Sequence, residues 1–137
     1  MKLTKIILLT LTTGCIAATG ALAQDAKLPP ASDKQNITYA TDIKAIFDVA
    51  CVKCHSGDKA KARLHMDTLE GVLKGGGRQG KFVVAGAPEK SPLIQSIAHL
   101  SKNPEGWMPP PRNRAGIKPL TPEEVGLVIG WVKQGAK

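Results

Sequence analysis

"ACVKCHSG", residues 50–57, sets two cysteines three apart with a histidine directly behind the second. The chain has only three cysteines and three histidines in 137 residues, so this cluster asks for a chemical reason. Four chemistries use such residues. A disulfide scaffold needs further pairs, and the remaining cysteine, Cys15, stands in a segment expected to be removed. A thiol redox motif of the thioredoxin kind wants Cys-x-x-Cys at a helix start after a strand, and no βαβ pattern surrounds it. A zinc site needs four ligands, and no second pair follows Cys51, Cys54 and His55. The fourth chemistry is c-type haem attachment, in which Cys51 and Cys54 bond covalently to the porphyrin and His55 reaches the iron from one face. On this reading the chain carries one haem c.

Covalent attachment of this kind takes place outside the cytoplasm, so an export signal should precede the motif. Lys2 and Lys5 form a charged start, "IILLTLTTGCIAATG" is an apolar run, and Ala21-Leu22-Ala23 is a small-residue cleavage site before Gln24. Residues 1–23 therefore read as a signal peptide cleaved after Ala23, with a periplasmic destination. A membrane anchor fits less well, because the run is short, rich in Thr and Gly, and lacks a charged stop. A lipoprotein site at Gly14-Cys15 has Thr12 where leucine is usual, and its apolar run continues past the cysteine.

What remains is one small domain. Five aromatic residues are few for a core of that size, and a large apolar cofactor would supply the missing buried surface. Without Lys2 and Lys5 there are 17 basic side chains against 11 acidic ones, a formal +6. No aromatic residues interleave with the basic ones, which argues against nucleic acid and toward a protein partner with an acidic docking surface.

Along the chain, "QDAKLPPASDKQN" has two prolines and almost no large apolar residues, so residues 24–38 read as a flexible leader and 39–137 as the folded domain. In "TDIKAIFDVA", Ile43, Ile46, Phe47 and Ala50 share one helix face, Thr41 is a plausible cap, and the cysteine motif lies at the C-terminal end. Leu69, Val72 and Leu73 predict a short helix stopped by Gly75 to Gly77. "SPLIQSIAHL" opens with Ser91 as cap and Pro92 at the first position, with Leu93, Ile94, Ile97 and Leu100 on one face. In "LTPEEVGLVIGWVKQGAK", Thr121 and Glu124 form a capping box, Leu120 and Val125 a hydrophobic staple, and Val125, Val128, Ile129 and Val132 the buried stripe. Gly126 and Gly130 either leave a flat patch for close approach of another helix or merely weaken this one. No strand pattern appears, and the fold class is all-α. The spacing Gly75-x-Gly77-x-x-Gly80 follows a helix where a dinucleotide fingerprint needs a strand, so it reads as a loop.

An iron bound by His55 has a second axial position. Met108 lies in "GWMPPPRNR", where Pro109, Pro110 and Pro111 fix an extended backbone able to hold a thioether rigidly, with no amphipathic element that would need Met108 as core. Met66 reads as core on the apolar side of an alternating stretch. His65 and His99 read as solvated surface.

From Ile46 to Ala136 the chain resembles the planctomycete-type cytochrome c domain, a branch of the class I cytochromes c. The resemblance is carried by Cys51 to Gly57, by Leu64 to Asp67 in place of that family's Leu-Arg-Leu-Asp, and by "LEGVLKGG". It continues in "VVAGAPEKSPLI", in Met108-Pro109-Pro110 and in "LTPEEVGLVIGWVKQGA". It implies a class I fold of short helices around one haem, with first and last helices crossing beside it, and a ligand set of Cys51, Cys54, His55 and Met108. Two departures stand out. His65 replaces a basic arginine, and Arg112-Asn113-Arg114 lengthens the segment after the prolines, as a partner-facing loop, a propionate clamp or plain solvated charge.

Two functional classes follow. One is a periplasmic electron carrier, or the haem subunit of an oxidoreductase such as a sulfite-type dehydrogenase, doing no bond chemistry itself. The other is a haem enzyme or gas sensor with a displaceable sixth ligand, for which the sequence offers no distal His-Arg pair.

Overall fold

The computed structural model describes residues 27–77 and 80–137. The signal peptide expected over residues 1–23, and Cys15 within it, lie outside these. Among the described residues four α-helices run in chain order: α1 (Lys44–Ala50), α2 (Leu69–Lys74), α3 (Pro92–Ile97) and α4 (Pro122–Lys133). Short turns of 3-10 helix at Lys61–Arg63, Pro88–Lys90 and Pro104–Gly106 punctuate the connections. Among the described residues there is no strand, only one isolated antiparallel bridge between Gly76 and Gly80. The chain is all-α.

The first helix begins earlier than its apolar spacing predicts. A wide π-turn over Tyr39–Ile43 leads into α1 without a break, and the cap is Thr38, whose hydroxyl accepts from Thr41 N–H (3.2 Å). Asp42 returns the favour by accepting from Thr38 N–H at 3.0 Å, so two orphan donors at the helix start are satisfied together. Tyr39 explains the shift. Its ring is buried against Phe47 and Trp131, with centroids 6.2 Å from each, and Phe47 meets Trp131 edge-on at 6.3 Å and 87°. This aromatic triangle joins α1 to α4 and corresponds to the packing of first on last helix that the family resemblance implies. Trp131 is fully buried, although the valine and isoleucine stripe of α4 did not include it.

α4 carries the predicted capping box: Thr121 Oγ accepts from Glu124 N–H (3.2 Å) and Glu124 Oε2 from Thr121 N–H (2.8 Å). α2 is capped by Thr68 and ends at Gly75, whose φ of 78° only glycine adopts freely. α3 starts where expected, but Ser91 does not cap it through its side chain. Its hydroxyl, fully buried, accepts from Val84 N–H (2.9 Å) and donates to the Ala87 carbonyl (3.1 Å), tying down the loop before the helix.

The leader expectation needs correction over residues 27–38. This segment is extended and lies along α4, with Leu28 and Ala31 packed on the core and Ile37 buried in it. Ser32 N–H donates to the Gly126 carbonyl (2.9 Å), and the Gln134 amide accepts from Ile37 N–H (3.1 Å) while donating to the Lys34 carbonyl (2.7 Å). A Cβ at Gly126 would stand 2.6 Å from the Pro30 carbonyl oxygen, and one at Gly130 2.8 Å from Ile37 Cδ1. The two glycines do admit close approach, but of this strap and not of another helix. Composition misses this because much of the strap's hold comes from the Ser32 and Ile37 N–H groups and the Lys34 carbonyl, backbone groups that leave no side-chain pattern in the sequence.

Candidate functional site

The cysteine motif unwinds directly from the end of α1. Cys51 and Val52 N–H both donate to the Phe47 carbonyl (2.8 and 3.0 Å), and Cys54 and His55 N–H fold back onto the Cys51 carbonyl (3.0 Å each). These turns gather both thiols and the imidazole on the wall of one cavity of about 1010 Å³, at the upper end of the roughly 300–1,000 Å³ usual for cofactor pockets. The apolar part of the wall comes from Leu64, Met66, Phe82, Leu93, Ile97 and Leu100, and the loop after α3 adds Met108, Pro109 and Ile117. Thus the four residues singled out in the sequence, Cys51, Cys54, His55 and Met108, line the same space.

His55 is buried, and its Nδ1 lies 3.0 Å from the Lys61 carbonyl. A carbonyl only accepts, so Nδ1 carries the proton and Nε2 keeps its lone pair free for a metal. Burial lowers the His55 pKa from its ordinary value, outweighing the opposite pull of the Lys61 carbonyl, and keeps the ring neutral. The loop that provides this carbonyl is closed by Lys61 N–H to Cys54 O (2.9 Å) and Met66 N–H to His55 O (2.8 Å). Cys51 and Cys54 are not joined in a disulfide. Burial pushes the Cys51 thiol up to about 12, leaving it protonated at neutral pH, unlike the thiolate of a redox Cys-x-x-Cys. Among the described residues no group of three or more His, Cys, Asp or Glu side chains could hold a metal ion.

Met66 is buried, with its carbonyl accepting from Tyr39 Oη (2.9 Å), and His65 next to it is exposed, as the alternation predicts. Met108 is partly buried, and its N–H donates to the Ser96 carbonyl at the end of α3 (3.0 Å). The backbone after it bends, with a cis Met108–Pro109 bond, where the run of prolines suggested an extended segment. His99 departs from its surface assignment: it is half-buried and stacked on Trp107. Arg112 and Arg114 are exposed and do not line the cavity, whereas Asn113 between them does, closing the loop by bonds to Pro110 O, Ile117 O and Ile117 N (2.8, 2.8 and 2.9 Å). The cations on the cavity wall are Lys61, Lys90 and Lys102. They went unnoticed because lysines scattered over three loops carry no local pattern.

A haem c fits this chemistry on three counts: a neutral imidazole with a free Nε2, two unpaired cysteines beside it, and a large apolar enclosure with a thioether on its wall. Residues 51–112 match the family model described as Planctomycete cytochrome C. This part of the chain is a planctomycete-type cytochrome c domain. Such a domain is a haem-binding electron-transfer unit, and the matched stretch runs from the first cysteine through Met108 to Arg112. No curated protein and no solved structure matches the chain. Among the described residues no helix is long and apolar enough to cross a membrane.

Proposed function

We propose that this chain is an exported, periplasmic monohaem cytochrome c that passes single electrons to or from a partner protein. Cys51 and Cys54 would tether one haem through thioethers, and His55 Nε2 and the Met108 sulfur would bind its iron. The observation that carries the reading is the His55 ring, buried on the cavity wall with Nδ1 committed to the Lys61 carbonyl, in the same enclosure as the Met108 thioether. Haem c supplies a one-electron couple at its iron. The chain's own residues do the rest. The Lys61 carbonyl orients His55 and raises its basicity as a ligand. The apolar wall keeps water from the redox centre, and a thioether favours the reduced iron and so raises the potential.

The partner is a redox protein with an acidic docking face, which suits the basic charge of the exported chain. The chain serves as a free carrier or as the haem subunit of an oxidoreductase, of which a sulfite-type dehydrogenase is one instance. The testing experiment is expression in a host that exports and matures c-type cytochromes. The purified protein should start at Gln24, carry one covalent haem by mass, and show in its oxidised form the red absorption band of methionine-ligated ferric haem. A five-coordinate spectrum that shifts on adding carbon monoxide would instead support a sensor or enzyme with an open sixth position.

A further inference from the structure

α3 ends at Ile97, and the chain then doubles back until Met108 N–H reaches the Ser96 carbonyl. Inside this loop the rings of His99 and Trp107 stack face to face, centroids 5.1 Å apart and planes 8° from parallel. Trp107 Nε1 also donates to the Ser101 carbonyl (3.0 Å). His99 takes a left-handed backbone, φ 55°, which is uncommon for any residue but glycine, and its Nε2 is buried without a hydrogen-bond partner. Neither ring lines the cavity. The stack thus forms at a residue with an uncommon backbone conformation, directly beside Met108.

We propose that His99 and Trp107 are positioning residues: their stack closes the loop after α3 and so presents the Met108 sulfur to the cavity already in place. The inference rests on Met108 being the sixth ligand. A thioether on a loose loop loses chain entropy each time it binds, and so competes poorly with ligands from solution. A loop held shut by an aromatic pair has lost that freedom beforehand.

The test uses the exported holoprotein and titration of its oxidised form with imidazole, which competes for the sixth position. His99→Ala should keep covalent haem, weaken the methionine–iron band and bind imidazole up to about tenfold more tightly, equivalent to about 1.4 kcal/mol. His99→Phe restores a stacking ring without the nitrogens and should return both readings close to wild type. Should His99→Ala yield no haem protein, Trp107→Leu makes the same comparison from the other ring. Imidazole affinity unchanged in the alanine variant, even with a lower melting temperature, would leave the stack a purely structural contact and overturn the proposal. Met108→Ala separates the two claims. If it keeps the band, the ligand reading fails and the positioning role falls with it. If it loses the band while His99→Ala binds imidazole like wild type, only the positioning role is wrong.

Discussion

Met66 and Met108 line the same cavity, yet their surroundings assign them different work. Met66 is buried between two backbone bonds, its N–H to His55 and its carbonyl from Tyr39, in the way of a core residue. Met66→Leu should therefore leave the oxidised spectrum unchanged and cost less than about 1.5 kcal/mol in a denaturant titration, as volume-conserving core swaps do. Met108→Ala should retain the haem through thioethers to Cys51 and Cys54, lose the methionine–iron band and lower the reduction potential. The reverse pattern would exchange the two assignments, and no change in either would point to a different sixth ligand. A second prediction at this scale concerns Asp42. The Lys34 ammonium, the Thr41 hydroxyl and Thr38 N–H hold its pKa down to about 2 from 3.8. Unfolded chain takes up a proton as the pH falls past 3.8 and folded chain does not until about 2, so the stabilisation is full above that window and lost on descending through it. Asp42→Asn should flatten this limb of the stability curve, measured as denaturation midpoint against pH. Two curves falling in parallel would mean that the carboxylate contributes nothing there.

For α4, the two readings of its glycines differ in sign. If Gly126 merely weakened the helix, Gly126→Ala would stabilise by roughly 1 kcal/mol through propensity. The added methyl would instead meet the Pro30 carbonyl oxygen at 2.6 Å, and a backbone oxygen cannot rotate aside as a side chain can. Gly126→Ala should thus destabilise by about 1–3 kcal/mol, as overpacked sites do. It should also expose residues 27–36 to a protease that spares the wild type. Calorimetry and limited proteolysis together decide the matter, and a stabilised, protease-resistant variant would show that the strap is not held here. At α3 the sequence signals for the start were correct in place and wrong in mechanism. The Ser91 hydroxyl is engaged by the loop before the helix, a bond between residues seven apart, Val84 and Ser91, that no capping rule contains.

Taken as a whole, the molecule is a small basic chain wrapped round a cavity whose wall carries Lys61, Lys90 and Lys102. If these and the remaining positive charge steer an acidic partner, the electron-exchange rate with that partner should fall steeply as salt is added, because the Debye length contracts from about 30 Å at 0.01 M to about 10 Å at 0.1 M. Stopped-flow reduction at several ionic strengths is the measurement. A flat dependence would remove electrostatic steering from the account and leave apolar contact as the basis of docking.

Several features set by residues close together in the chain were legible in the sequence. The motif Cys51–His55 at the end of the first helix, the capping box of Thr121 and Glu124, and the stop at Gly75 are all set within a few residues, where covalent spacing alone decides which groups can meet. The candidate site belonged to that class for Cys51, Cys54 and His55. What only the tertiary structure decided are contacts that no local spacing encodes. The Gln134 amide bonds the backbone of residues 34 and 37, about a hundred positions away. Tyr39, Phe47 and Trp131 meet to lock α1 on α4. His99, placed on a solvated face by helical spacing, leaves that face because the chain turns left-handed just after α3 and finds Trp107. Each of these joins groups whose separation along the chain carries no period or motif, and their partners become visible only when the chain has closed on itself.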